Sequence, residues 1–280
     1  MVPIIKIENA RGEVLNLSTD PRYIPMLSGT GPPEATINRA KASTADGTTF
    51  NSATVNERNL VLTVYLKQDV TRARLNLYRW LATKQPITVY YQADDLDVSV
   101  QGYIETAEVD PWQQNQFMQA SIICPRPFWR EIADTYTNAS NVEALFEFPF
   151  ETDDLGVEIS VLHRDTSTII ENQGTVEAGV TFVLTATTPS VNPRLYNLTT
   201  GAFIGVLCTL EPRDRLEICT ETGAKRVTHI RDGVRTNYIN LLMEGSEWLQ
   251  MAIGSNEYSY TVESGECELG IYYTNEFVGV

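Results

Sequence analysis

The sequence predicts a mainly β protein with two β-sandwich domains, the first of which also contains one α-helix and a long arm or belt-like excursion. Three observations indicate this. The second half is a succession of short strand-like runs whose turn signals recur about every 8–12 residues, a spacing typical of sandwiches. One stretch has clear helical periodicity. The length of 280 residues suits two domains of roughly 100–150 residues each.

The chain opens with a predicted hairpin and then changes character. The hairpin strands are expected at 3–8 and 13–17, around Ala10-Arg11-Gly12. Residues 18–52 are weakly apolar and rich in Gly, Pro, Ser and Thr. So long a loop is unusual inside a compact domain, so we expect an arm that reaches a neighbouring subunit; a functional or a disordered loop is the alternative. The candidate inter-subunit contacts of this arm are Tyr23, Ile24, Met26 and Leu27.

A strand and the one predicted helix follow. Arg58–Leu66 has the alternation of a strand, with its leucines and Val64 on one face. Residues 70–83 are predicted to be helical, with Asp69 or Thr71 as N-cap and Lys84 and Pro86 beyond the end. The apolar residues at helical spacing are Val70, Ala73, Leu77, Tyr78 and Leu81.

Three more strands complete the first domain, at 87–91, at 98–109 with a bend or bulge at Gly102, and at 116–124. Prolines cannot donate to a strand ladder, so the next residues are interpreted as a domain junction. These junction residues are Pro125, Pro127, Phe128 and Trp129. The predicted domains are therefore 1–135 and 136–280.

The second domain is predicted to contain strands only. They are expected at 155–163, 167–172, 180–187, 193–197, 202–209, 214–219, 224–230, 236–242, 246–251, 257–263 and 266–273.

Charge and composition exclude several function classes. The net charge of −15 disfavours sequence-specific binding of nucleic acid and binding to an anionic membrane. Residues 1–135 carry 13 basic and 15 acidic side chains, and residues 136–280 carry 8 and 21, so the acidity is concentrated in the second half. The four cysteines include no CxxC pair, which argues against zinc and favours reduced cysteines in strands.

Catalytic motifs are missing from the sequence. It has no GxSxG, P-loop, GxGxxG or HExxH pattern, so we expect no enzyme activity, catalytic residue, metal or cofactor. An exposed aromatic ring can stack on a sugar, and Trp112 in the predicted turn 111–115 is the candidate carbohydrate contact. A carbohydrate-binding module or adhesin that contacts the host cell wall is accordingly the alternative function.

The order of several motifs resembles the distal tail protein family of phages that infect Gram-positive bacteria, also called the siphovirus-type tail component. In the first half the resemblance lies in Arg58–Leu66, the helix, Val100–Glu105 and the exit Cys124-Pro125-Arg126-Pro127-Phe128-Trp129. In the second half it lies in Glu171–Gly174, Asn197–Gly201, Leu216–Thr220 and Ile271–Tyr273. The family often has aspartate where this chain has Cys219.

The resemblance implies a structural virion protein at the tail tip or baseplate, made in the cytoplasm of the bacterial host. Six copies would form a ring through the N-terminal domain, each arm embracing the neighbouring subunit. The C-terminal domain would be a galectin-like or carbohydrate-module-like sandwich that projects outward. The implied partners are the tail tube protein, the tail-tip hub protein and a receptor-binding protein. DNA would pass through the lumen, and no membrane is involved.

Overall fold

The chain divides into two compact units in a computed structural model that describes residues 2–41, 46–138, 141–144, 160–163 and 167–280. Unit 1 comprises Met1–Ile132 together with Glu276–Val280, and unit 2 comprises Ala133–Asn275. Strands dominate both units, and the described residues contain one α-helix. The predicted mainly β fold is therefore confirmed.

The strands of unit 1 nearly all precede unit 2 in the chain. In chain order they are β1 (Ile4–Asn9), β2 (Val14–Asn16), β3 (Tyr23–Ser28), β4 (Ala35–Ala40), β5 (Thr49–Val55), β6 (Arg58–Leu66), β7 (Pro86–Ala93), β8 (Leu96–Val109), β9 (Phe117–Cys124) and β10 (Trp129–Glu131), with helix α1 (Val70–Trp80) between β6 and β7.

The main sheet of unit 1 is continuous and antiparallel, with strand order β2-β1-β7-β8-β9-β6-β3. One face of each long strand is apolar, and those faces build the core. In β6 the alternation is complete, because Leu60, Leu62 and Val64 are all inaccessible to solvent. The strands in this order belong to one hydrogen-bonded sheet, and their buried side chains form one core.

Helix α1 ends three residues earlier than the predicted bound of 83. Asp69 occupies the N-cap position but makes no side-chain capping bond, and Leu81 follows as the C-cap. Ala73, Leu77 and Leu81 are buried in the core, as their spacing predicted. Tyr78 is exposed, so its place in the predicted apolar stripe is wrong.

Gly102 has a different role from the predicted bend. The pairing of β7 with β8 runs through Gly102 without interruption, and the irregularity of β8 falls between Ile104 and Thr106 instead. A Cβ on Gly102 would lie 2.7 Å from Cγ2 of Ile122 and 2.8 Å from Sγ of Cys124. The glycine is required because side chains of β9 pack against its backbone.

The end of the chain returns to unit 1. Its strand β26 (Glu276–Phe277) pairs with β10, with Trp129 opposite Phe277. The sequence assigned these residues to the second domain, and no local pattern marks a strand of two residues. Their placement follows from contacts with β10 that are distant in sequence.

Unit 2 contains the remaining strands. They are β11 (Thr135–Asn138), β12 (Asn141–Ala144), β13 (Ser160–His163), β14 (Ser167–Asn172), β15 (Ala178–Ala186), β16 (Ser190–Val191), β17 (Arg194–Asn197), β18 (Phe203–Gly205), β19 (Thr209–Leu210), β20 (Arg215–Cys219), β21 (Arg226–Arg231), β22 (Val234–Asn237), β23 (Gln250–Met251), β24 (Gly254–Thr261) and β25 (Cys267–Tyr273), with a 3₁₀ turn at Ile239–Leu241.

Two sheets of unit 2 share one apolar core, as a sandwich requires. The larger has the order β11-β25-β15-β20-β21-β22, and the smaller has the order β14-β24-β17-β18. Phe182 of the larger sheet and Tyr258 of the smaller meet edge to face, with ring centroids 5.1 Å apart. Both rings are buried, so the core lies between the sheets.

Two predicted strands of unit 2 are wrong in part. The prediction at 236–242 covers the end of β22 and the 3₁₀ turn, where the Asn237 side chain accepts the N–H of Ile239 at 2.9 Å. The prediction at 246–251 is reduced to the two residues of β23. In the predicted strand 155–163, residues 160–163 form β13, while 155–159 lie outside the described residues.

Two motifs that carried the family resemblance are turns held by buried asparagines. Asn172 Oδ1 accepts the N–H of Gly174 at 2.8 Å, and its Nδ2 donates to Met251 O at 3.1 Å. Asn197 Oδ1 accepts the N–H groups of Thr199 and Thr200, at 3.0 and 3.1 Å. In both motifs one amide side chain satisfies backbone groups of a turn.

A buried carboxylate joins the turn at residues 211–214 to strand β21 in unit 2. Asp214 accepts hydrogen bonds from Arg231 Nε at 2.9 Å and from the N–H of Glu211 at 2.8 Å, and lies 3.0 Å from His229 Nε2. The ring of Tyr238 stacks on His229 at 4.7 Å. Hydrogen bonding by Arg231 holds the pKa of Asp214 well below its ordinary value of 3.8.

Replacing Gly102 with alanine should lower the free energy of unfolding of unit 1 by about 1–3 kcal/mol, because the added methyl group overpacks β9. Denaturant unfolding followed by hydrogen exchange of β8 and β9 amides measures the change. Gln101→Ala, at the neighbouring exposed position, is the control and should be nearly neutral. Equal stability of the two variants would contradict the close approach at Gly102.

Acidification should destabilise unit 2 through Asp214. Its folded-state pKa is depressed, so its contribution is present above the ordinary pKa and is lost as the pH falls below about 4. The measurement is the denaturation midpoint of unit 2 at about pH 7 and about pH 3. Asp214→Asn should be less stable at neutral pH, and its stability should depend less on pH. If the variant and the wild type lost the same stability on acidification, Asp214 would not be a source of the pH dependence.

Candidate assembly interface

The strands β4 and β5 form a hairpin that pairs with no other strand among the described residues. We call residues 35–55 the hairpin arm. Each described residue from 34 to 57 is exposed. The N–H of Asn56 donates to Glu34 O at 2.9 Å and closes the base. The predicted excursion 18–52 thus contains a structured arm, of which residues 42–45 lie outside the described part.

One face of the hairpin arm is mainly apolar and also carries Arg39, and the opposite face is polar. The cross-strand pairs Ala35–Val55 and Ile37–Ala53 share a face. Asn51 is bulged, because Asn38 pairs with Ser52 and the next residue, Arg39, pairs with Phe50. The bulge keeps Phe50 on the face of Ile37, and the two side chains are 64% and 60% exposed.

The opposite face satisfies its polar groups within the arm. Thr36 Oγ1 donates to Asn56 Oδ1 at 2.9 Å, and Asn38 Nδ2 donates to Ser52 Oγ at 3.0 Å. A lone two-stranded hairpin is only marginally stable in water, and exposed contiguous apolar surface marks interaction sites. The apolar face of the hairpin arm is therefore the best candidate for an interface.

The base of the arm is held by one buried guanidinium. Arg58, the first residue of β6, is 1% exposed. Its Nη1 donates to Gly29 O at 2.7 Å and to Gly31 O at 2.6 Å. Its Nε donates to Pro127 O at 2.5 Å, and its Nη2 donates to Val278 O at 2.6 Å. The planar fork of arginine suits this arrangement, because its donors point in several fixed directions.

The charge of Arg58 is compensated by dipoles and by a ring. Its four acceptors are backbone carbonyls, and among the described residues no carboxylate pairs with it. The indole of Trp129 lies 5.6 Å from its Cζ, a cation–π distance. Burial lowers the pKa of Arg58 from its ordinary value, yet arginine stays charged in proteins.

Two further bonds attach the same base to distant parts of unit 1. Trp129 Nε1 donates to Thr30 O at 3.2 Å, and the N–H of Val280 donates to Thr30 O at 3.1 Å. A Cβ on Gly279 would lie 3.0 Å from the carbonyl carbon of Gly31. Residues 29–31 are therefore fixed by β6, by β10 and by the last residues of the chain, and this sets the direction in which the arm leaves the sheet.

The predicted arm contacts lie in the sheet instead of the arm. Tyr23, Ile24, Met26 and Leu27 belong to β3, which pairs with β6 over Tyr23–Ser28. Tyr23 is buried, and its hydroxyl donates to Ala73 O at 3.2 Å, so it is unavailable to a neighbour. Leu27 packs against the core; Ile24 and Met26 are exposed. Alternating burial along a strand explains this split.

The predicted junction residues also lie within unit 1. Pro125 and Pro127 end β9, as the missing N–H groups require. Phe128 is partly buried, and Trp129 is completely buried in the core. The units divide after Ile132, so this segment is part of the arm's anchor rather than a linker.

Trp112 lies in a turn between β8 and β9 and is 92% exposed. Its backbone N–H donates to Asp110 Oδ1 at 3.0 Å. Its exposure agrees with the interpretation of a ring at the surface, and its role as a sugar contact stays a prediction.

Sequence reasoning missed the role of Arg58, although one signal was available. Arg58 lies on the same face of β6 as Leu60 and Leu62, so the period of two places a charge in the core. Its partners lie between 27 and 220 residues away, and no local pattern identifies them.

Among the described residues, no group of three or more His, Cys, Asp or Glu side chains is arranged to hold a metal ion. The four cysteines are free thiols. No helix in the described part of the chain is long and apolar enough to span a membrane.

Comparisons with known proteins agree with the resemblance inferred from the motifs. Residues 173–277 match the family model of the siphovirus-type tail component, C-terminal domain, named after SPP1 Dit. None of the curated proteins matches the sequence. The family resemblance is confirmed for this segment, which includes the turn at Asn197–Gly201 and the strand Leu216–Cys219.

Solved structures share the fold over the full length. The SPP1 Dit protein, from a phage infecting Gram-positive bacteria, has a TM-score of 0.67 at 14% identity, with 99% of this chain and 100% of that chain covered. Chains of the phage P2 baseplate in its activated conformation, with Ca and with Sr, have TM-scores of 0.55 and 0.56 at 11% and 10% identity. Both comparisons cover 100% of each chain.

Replacing Arg58 with methionine should destabilise unit 1 by about 3–5 kcal/mol, because it removes a buried guanidinium and leaves four carbonyls without their donor. The stability of Arg58→Lys should lie between those of Arg58→Met and the wild type, since an ammonium group cannot reproduce the fork of donors. Hydrogen exchange of β6 and β10 amides in denaturant measures the effect. Arg72→Met, at an exposed helix position, is the control; equal effects at both positions would contradict the anchoring role.

Proposed function

We propose that this chain is a structural, non-catalytic component of the distal end of a phage tail, part of its tail tip or baseplate. The observation that carries the proposal is the family match of residues 173–277. The fold likeness to SPP1 Dit over 99% of the chain and to chains of a phage baseplate supports it. Their descriptions name a siphovirus-type tail component, a hub adsorption apparatus of phages and a phage baseplate.

The proposed mode of action is assembly into a ring. Unit 1 carries an exposed arm whose apolar face has no partner in the described part of the chain, and the base held by Arg58 fixes where that arm leaves the sheet. A ring follows if each copy docks its arm on the same surface of the next copy, a heterologous contact whose rotation closes. We propose a hexamer, with unit 1 forming the ring and unit 2 facing outward.

The proposed partners follow from this position in the virion. The ring would join the tail tube protein to the tail-tip hub protein, and it could carry a receptor-binding protein. Acidic side chains are concentrated in residues 136–280, the half proposed to face outward, where they favour solubility and selection of partners. The near-neutral first half would surround a lumen through which DNA passes without sequence-specific binding. Synthesis would take place in the host cytoplasm, before incorporation into the virion.

Adding charge to the apolar face of the arm should prevent assembly. Ile37→Asp with Phe50→Asp places carboxylates where we expect the neighbouring copy to pack. Asn38→Asp with Thr54→Asp is a matched control, because it adds the same charge to the opposite face at an equivalent diagonal. The measurement is native mass over a range of concentrations.

The expected masses separate the outcomes. One chain is 31.3 kDa, so a hexamer is about 188 kDa, six times that mass. The wild type and the polar-face variant should assemble, and the apolar-face variant should remain at the mass of one chain. A wild type that stays monomeric at every concentration, or an apolar-face variant that assembles normally, would contradict ring formation through the arm.

A further inference from the structure

The larger sheet of unit 2 has one face outside the core. Along β25 the side chains of Leu269 and Ile271 are buried in the core, so Glu268, Gly270 and Tyr272 lie on the opposite face. The pairing register continues this face across the sheet: Gly270 pairs with Val183, and Val183 pairs with Glu217.

A depression of about 270 Å³ lies on this face. Its floor includes Gly270, which has no side chain, and Val183, which is buried. The other lining residues carry longer or polar side chains and surround the floor; they are Tyr136, Asn138, Thr185, Arg215, Glu268 and Tyr272. Because Gly270 has no side chain and the surrounding residues have long ones, the face of the sheet is concave at this point.

Two tyrosine rings form one wall of the depression. Tyr136 and Tyr272 are cross-strand partners on β11 and β25, with ring centroids 4.7 Å apart and an interplanar angle of 40°. They are 52% and 41% exposed. The Tyr136 ring leans over Gly270, where a Cβ would come within 2.9 Å of Cε2. The missing side chain at Gly270 therefore leaves the floor of the depression low and leaves space for the Tyr136 ring.

Polar groups face the rings across the floor. Arg215 and Glu268 flank Thr185, because both pair with it in the register. Arg215 is held by Glu217, 3.5 Å from its Nη2, and its side chain remains about half exposed. Within the described residues, the Glu268 carboxylate and the two tyrosine hydroxyls have no hydrogen-bond partner. Burial, followed by the neighbouring Tyr272 and Glu268, raises the pKa of Tyr136, which agrees with this clustering.

We infer that this depression is a binding site for a neutral pyranose sugar, formed by Tyr136, Tyr272, Arg215 and Glu268. A pyranose ring has an apolar C–H face suited to an aromatic ring and a rim of hydroxyls that both donate and accept hydrogen bonds. The arginine supplies donors and the carboxylate supplies acceptors. The inference goes beyond the proposed assembly role, because the site lies within one copy of unit 2.

Other ligand classes fit the same residues less well. An anionic ligand would approach Arg215 next to the Glu268 carboxylate, in the more acidic half of the chain, so charge opposes it. A metal ion needs more ligand groups than this cluster has. An apolar ligand would desolvate the polar rim without replacing its hydrogen bonds.

The site differs from the aromatic position predicted from the sequence. Trp112 belongs to unit 1 and lies in an exposed turn, whereas the depression combines two rings with polar groups on a rigid sheet. A shallow site of this kind binds weakly by itself. Several copies in one particle would strengthen attachment to a repetitive cell-wall glycan through multivalency.

Saturation-transfer NMR on the purified full chain tests the inference. The probes are methyl β-glycosides of glucose, galactose and N-acetylglucosamine, and the β-linked disaccharides of these sugars. At least one should receive saturation, and Tyr272→Ala should weaken its binding by about tenfold or more, because the stacking surface is removed. Glu268→Gln should weaken binding less, since the amide keeps one acceptor oxygen.

The controls separate this site from loss of fold and from the assembly role. Tyr103→Ala removes another exposed ring, in unit 1, and should leave sugar binding unchanged. Circular dichroism verifies that Tyr272→Ala is folded, and Glu268→Gln reports on the site with little change in volume. The inference would be overturned if no sugar in the panel received saturation. It would also be overturned if Trp112→Ala abolished sugar binding while Tyr272→Ala preserved it. Ring formation does not enter the readout, so the two proposals fail independently.

Discussion

The guanidinium of Arg58 is the interaction on which the organisation of unit 1 depends. It binds carbonyls from four segments that are far apart in the chain, at Gly29, Gly31, Pro127 and Val278. A buried charge is costly unless hydrogen bonds satisfy it, so these segments are fixed together or the residue cannot stay buried. The same contacts bring residues 276–280 back to unit 1.

The contacts of Arg58 hold the base of the exposed hairpin arm. The described residues of the arm are exposed and a lone hairpin would be marginally stable, but residues 29–31 at its base are held by several hydrogen bonds. Such a combination suits a contact made between copies, because a fixed direction reduces the entropy lost on docking. Held at its base, and with an apolar face that has no partner among the described residues, the arm suits the assembly role proposed above.

Much of the fold could be predicted from local patterns, and the functional surfaces could not. Period-two alternation identified β6, and turn residues identified the strands around Asn172 and Asn197. The same reasoning placed Tyr23 in the arm, because a single strand paired with β6 leaves little local signal in a stretch rich in glycine and proline. The Arg58 contacts and the depression beside Gly270 depend on register between distant strands, which no local pattern specifies.

Hydrogen exchange of the hairpin arm tests the central claim most directly. The amides of residues 35–40 and 49–55 would be followed in the assembled particle and in the free chain. The account predicts strong protection on assembly, concentrated on the arm, with the Arg58-anchored base already protected in the free chain. Equal exchange of the arm in both states would contradict the claim that assembly occurs through this hairpin.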